Sequence, residues 1–96
     1  MTPDRCVWIF NADHAMFPGG AFTERSTAEG WIALHGLSGA LSAYPLDEGC
    51  YDFAVRNNLI SARALAEQKG NPKFVGGFSS ASLDHFHYEQ GRRVTG

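Results

Sequence analysis

The chain is poor in cysteine, in long apolar runs and in basic charge. Two cysteines in 96 residues are too few for a disulfide framework. Cys6 lies in the run Cys-Val-Trp-Ile-Phe, where a thiol behaves as a small apolar side chain. No run approaches the roughly eighteen apolar residues of a membrane span, and Met-Thr-Pro-Asp-Arg lacks the charged-then-apolar pattern of a secretion signal. The net charge of -2 and a pI near 6.0 argue against nucleic acid as a partner, because that binding draws on clustered basic surface. The tightest basic pair, Arg92-Arg93, sits at an end expected to fray. These absences predict a cytoplasmic protein with reduced thiols and neither a nucleic-acid nor a membrane partner.

What remains is the composition of a small globular domain. Residues 1–96 are read as one domain with an ordered core over about residues 5–91. A chain this short buries only roughly 60–65% of its unfolded surface. Seven Phe, three Tyr and two Trp supply much buried area per residue, which suits a modest core. Trp8 and Trp31 are assigned to it.

Periodicity orders the chain. Residues 6–10 are apolar at every position, which predicts an interior strand covered at least in part on both sides. Turn residues follow at 11–14 and 17–20, around an interrupted second strand made of residues 15–17 and 20–23. Ala28, Trp31, Ile32 and His35 fall at i, i+3, i+4 and i+7, one stripe of a helix that Gly36 ends. Its start is open between Thr23 as N-cap and the Ser26-x-x-Glu29 capping box.

Residues 39–46 alternate Ala40, Ser42, Tyr44 against Leu41, Ala43, Pro45, a strand whose proline marks an edge or a ladder exit. Asp47 is placed to cap a short helix reaching about residue 57. Residues 61–69 fit a further short helix, the alternative being a loop over residues 57–72. Residues 74–78 are expected to pair as a hairpin with the last strand across the serine-rich residues 79–83. The fold class is therefore α+β, a mainly antiparallel sheet of four to five strands with two to three helices largely on one face.

The segment closest to chemistry is Asp84-His85-Phe86-His87-Tyr88-Glu89. Its alternation predicts a strand with Phe86 and Tyr88 on one side and His85, His87 and Glu89 on the other. Two of the chain's four histidines then share one face. A His-x-His pair can ligate zinc or another divalent transition metal. Glu89 is a poor third ligand for both, because His85 and Glu89 stand roughly 13 Å apart along an extended strand. Cys6 or His14 would have to complete the set from elsewhere in the fold. Without metal, His85 and His87 are strand residues facing solvent or a partner, with Glu89 reaching across to Lys73.

Other chemistries find less support. Ser79, Ser80 and Ser82 precede His85, but none sits in a Gly-x-Ser-x-Gly elbow, so no catalytic residue is assigned. Gly19-Gly20 and Gly76-Gly77 are isolated pairs, not a phosphate loop. Tyr44, Asp47, Tyr51 and Asp52 form either a strand end feeding a capped helix or a polar cleft for a ligand.

Several segments together carry a family resemblance. They are Val7-Trp8-Ile9-Phe10, Phe22 with Ala28 and Trp31-Ile32, residues 37–47 with Tyr51-Asp52, and Phe78-Ser79-Ser80-Ala81-Ser82 running into His85-Phe86-His87-Tyr88-Glu89. The set, with its Tyr-Pro-x-Asp segment and C-terminal His-x-His-Tyr-Glu strand, resembles a family of small uncharacterised bacterial domains of unknown function. The resemblance implies a stand-alone fold and brings no catalytic residues. The leading expectation is a non-enzymatic domain, an adaptor or immunity-like protein, that binds a protein partner, without cofactor, as monomer or homodimer. The alternative is a zinc-type metal protein, hydrolytic or not, centred on His85 and His87.

Overall fold

The computed structural model describes residues 2–78 and 83–94. Among these residues, five strands form one antiparallel sheet in the order β2-β1-β3-β4-β5. They are β1 (Cys6–Ala12), β2 (Gly20–Phe22), β3 (Gly39–Pro45), β4 (His85–Glu89) and β5 (Arg92–Val94). The helices are α1 (Arg25–His35), α2 (Cys50–Arg56), α3 (Ala62–Gln68) and α4 (Pro72–Gly77). The architecture is α+β as expected, with one helix more than foreseen.

The sheet grows from its middle. β1 and β3 pair along their whole length, from Cys6 opposite Pro45 to Ala12 opposite Gly39. β1 is interior, as its unbroken apolar run requires. β3 is interior too, and Pro45 is a ladder exit, since pairing to β4 covers only Gly39 to Ser42. Residues opposite one another point to the same side of a sheet, so the register sorts every side chain. One face gathers Trp8, Phe10, Leu41, Ala43 and Tyr88, and Ala28 and Ile32 of α1 close over them as a single core. The i, i+4 spacing of Ala28 and Ile32 makes this possible, and both are fully buried. Trp31 stays half-buried at the rim, its ring 5.7 Å from Phe10 and 5.4 Å from Phe22.

Neither proposed cap starts α1; Glu24 holds the N-cap position without a side-chain hydrogen bond. The end agrees with expectation: Gly36 is left-handed at φ 62°, a conformation glycine adopts without a Cβ penalty. The second strand is shorter than expected. Residues 15–17 instead form an exposed connection in which Met16 and Phe17 are 86% and 72% exposed.

Residues 74–78 are not a strand. Asn71 accepts a hydrogen bond from the Lys73 amide at 3.1 Å, and Pro72 occupies the first helical turn, the position where its missing N–H costs nothing. Phe74 and Phe78 are four apart, which suits a helical face, and their rings meet each other at 5.7 Å and Tyr51 at 5.9 and 6.1 Å. The alternative of a loop over residues 57–72 falls as well, because Ser61 caps α3 by accepting from the Ala64 amide.

β4 consequently pairs with β3 on one side and β5 on the other. The turn between β4 and β5 is two residues long, with Gln90 and Gly91 both at positive φ, as a type I′ hairpin demands. Its tip is tied to the α1–β3 connection by the Gln90 amide to Ser38 Oγ and the Gly91 amide to the Leu37 carbonyl. Arg92 and Arg93 are therefore strand residues, not a frayed end. The serine-rich residues 79–82 lie outside the described residues. Among the described residues, no helix is long and apolar enough to cross a membrane.

Candidate functional site: the open face of the sheet

The register puts a second set of side chains on the face away from α1. Ala21, Ile9, Ser42 and His85 run across β2, β1, β3 and β4 in one row. The next row is Asn11, Ala40, His87 and Val94. Val7 and Tyr44 make a third, toward the other end of β1. Ser42 is the one buried member, at 8%; the others are half-exposed or exposed. The second side of β1 is covered only in part, as expected: Val7 and Ile9 remain half-exposed. Glu89 opposite Arg92 brings charge to one margin. The three rows are mostly apolar, with Tyr44, two imidazoles and the uncharged Ser42 and Asn11 among them, and no acid, lysine or arginine lies in them.

The histidines sit as the alternation predicts: His85 and His87 are exposed beside each other, their ring centroids 5.3 Å apart and nearly perpendicular. His85 Nδ1 is 3.0 Å from the Leu83 carbonyl oxygen. A carbonyl only accepts, so Nδ1 is the donor, and in the neutral imidazole this leaves the lone pair on Nε2. Among the described residues no third ligand completes a set: there is no group of three His, Cys, Asp or Glu able to hold an ion. Cys6 belongs to the α1 face opposite Pro45, and burial pushes its thiol above the ordinary value. His14 lies in the β1–β2 connection. Glu89 faces Arg92 rather than Lys73.

The remaining sequence candidates are not brought together. Tyr44 is on the open face, whereas Tyr51 packs edge-on against Phe74 and Phe78. Asp47 turns at φ 59° and lies 3.6 Å from Arg5; it does not cap α2, whose N-cap is Gly49. Asp52 is in the first turn of α2. A cleft of 320 Å³ does open nearby, but its walls include Pro3, Arg5, Pro45, Phe53 and Arg56 and neither tyrosine. Arg56 is held there by both carboxylate oxygens of Glu48, at 2.8 and 3.0 Å.

Sequence reasoning missed Val7, Ile9, Ala40 and Val94 as site residues. The signal was present in residues 6–10, whose second face is as apolar as the first. Only the register shows that this face continues into the histidines.

Behind the site, one polar contact anchors β4. Tyr88 is 3% exposed, and its hydroxyl donates to Glu29 Oε2 of α1 at 2.6 Å. Burial, then the hydrogen bond to Glu29 and its negative charge, hold the phenol well above its ordinary value of 10.0. A folded-state value above the unfolded one means that the contribution to stability is complete below about pH 10 and declines as pH rises beyond it. Tyr88→Phe should cost about 1–2 kcal/mol near neutrality. Its urea midpoint should also fall less steeply than that of the parent above pH 10; parallel declines would show that the Tyr88 phenol titrates alike in the folded and unfolded chain.

No curated protein and no solved structure matches the chain. One family model does, over residues 7–94, a span that begins in β1, ends in β5 and includes every residue of the open face. The chain belongs to the family described as Domain of unknown function (DUF7710).

Proposed function

We propose that this domain is non-enzymatic, works in the cytoplasm, and binds a protein partner through the open face of its sheet. The observation that carries the reading is the character of that face. An antiparallel sheet with one packed side ordinarily turns polar residues outward on the other. Here Val7, Ile9, Ala40 and Tyr44 are turned outward at the middle of the sheet, with the Glu89 and Arg92 charges at its margin. A mostly apolar centre free of charge, with charged residues at its margin, matches the anatomy of a protein interface. Tyrosine and histidine add polar tips without the desolvation cost of a buried charge. The free thiols of Cys6 and Cys50 are consistent with a reducing compartment.

A photo-crosslinking benzoylphenylalanine placed at Tyr44 tests the reading in cells, with the same group at Leu34, 78% exposed on α1, as control. Position 44 should give one saturable protein adduct that Ile9→Lys removes, with none from position 34. Adducts from position 34 alone, or diffuse adducts insensitive to Ile9→Lys, would reject the open face as the docking surface.

A further inference from the structure

We propose that His85 and His87 are half of a zinc-type metal site, completed by the same two histidines of a second copy of this chain. The inference rests on the reading of the open face as a docking surface and names its occupant.

The two imidazoles have the spacing of ligands on one ion. With metal–nitrogen bonds of about 2.0–2.1 Å, two imidazoles on a tetrahedral ion place their ring centres about 5 Å apart. The observed separation is 5.3 Å, whereas alternate residues of a strand are spaced about 6.6–6.8 Å along the backbone. The rings therefore lean toward each other. The hydrogen bond from His85 Nδ1 to the Leu83 carbonyl also does what a metal-ligating histidine requires: it fixes the tautomer and leaves Nε2 free to coordinate.

The surroundings leave room for an approaching ion and partner. Across the sheet, His85 is opposite Ser42, and His87 lies between Ala40 and Val94. None of these is a long or charged side chain that would cover or repel an ion.

A tetrahedral zinc site takes four ligands, and soft or borderline ions accept imidazole readily. This chain offers two, with no set of three among its described residues. A two-fold axis beside the pair brings the same patch of both copies together and supplies the missing two nitrogens at once. Tyr44 and Ile9 of the same face then meet the partner, adding apolar burial to the coordination. Neither contribution needs a residue outside the open face.

The test uses the whole chain and zinc alone as probe. Metal-free protein is titrated with zinc by calorimetry, and its mass is followed by light scattering after size exclusion. One zinc per two chains should bind as the mass doubles from 10.5 kDa, with chelator restoring the monomer. His85→Ala/His87→Ala should abolish both signals. These side chains are exposed, and an unchanged circular dichroism spectrum and melting curve in chelator will show that the variant is folded. His87→Gln, which keeps a polar side chain and removes the ligand, should behave likewise.

Absence of zinc binding, one zinc per chain at unchanged mass, or a doubling that chelator and both variants leave intact would each overturn the inference. The position-44 crosslink separates the two levels. A failed zinc test beside a specific adduct to a different protein removes the metal-bridged pair and leaves the docking face standing; failure of both removes the face.

Discussion

Alanine at Gly39 is expected to cost about 4 kcal/mol or more, enough to place the variant among the rare, diagnostic destabilisations. Gly39 opens β3 at φ 156°, between Ala12 on β1 and Tyr88 on β4. A Cβ there would fall on the Asn11 carbonyl oxygen and lie 2.7 Å from the Ala12 Cα and 2.9 Å from the Phe10 ring. The first two are backbone atoms of the neighbouring strand. They can yield only if β1 and β3 separate, and that ladder is the longest in the sheet. With total stabilities of about 5–15 kcal/mol for such domains, the loss approaches global unfolding. At about 4–8 °C per kcal/mol for a domain of this size, the melting midpoint should drop by at least roughly 16 °C. Gly30→Ala is the control. It lies inside α1, and a Cβ added there would meet nothing within 4 Å, so the variant should gain about 0.5–1 kcal/mol from helix propensity alone. A Gly39→Ala protein that melts with the parent would mean the close approach of β1 and β3 is not required.

The elements that were legible in the sequence are those whose pattern is local. The alternation of Phe86 and Tyr88 against His85, His87 and Glu89 encodes a strand and both its faces. The split of Ala40, Ser42 and Tyr44 from Leu41, Ala43 and Pro45 does the same for β3. Helix α1 is carried by its stripe and by Gly36. Pairing is different, because it joins residues far apart in the chain: Leu41 meets Phe86, and Ala40 meets His87. No period within either strand specifies that neighbour. The expected hairpin with residues 74–78 was the nearest partner in sequence, but Asn71-Pro72 and the Phe74, Phe78 and Tyr51 rings favour a helix there. Two consequences for the site follow. The histidine pair could be found from the chain alone, whereas its neighbours Ser42, Ala40 and Val94 could not. Tyr44 and Tyr51 look adjacent in sequence, yet one ends up on a strand face and the other in an aromatic cluster with Phe74 and Phe78.

Truncating Phe10 should be the severest change within the core, at about 3–5 kcal/mol for Phe→Ala. Its ring is 1% exposed and forms the layer between the sheet and α1, edge-on to Trp31 at 80° and in line with Leu41 and Gly20 across the strands. Two of those neighbours are poorly able to fill the space: Gly20 has no side chain, and Leu41 belongs to β3, which is held by ladders on both sides. The cavity therefore persists, and the cost lies toward the upper part of the range. Trp31 loses one of its three ring contacts, keeping Phe22 and His35, and it is Trp31 that lies beside Gly19 and Gly20 and so secures the three-residue β2. Amide exchange in Phe10→Ala should accelerate in β2 ahead of β4, at denaturant levels below the global midpoint. Phe10→Leu, which restores most of the volume, should recover all but about 1–2 kcal/mol. Equal acceleration in β2 and β4 would show that the core yields only as a unit. Faster exchange confined to β2 would locate the rigidity of the histidine-bearing strand in its pairing with β3, leaving the open face in place while the opposite edge of the sheet loosens.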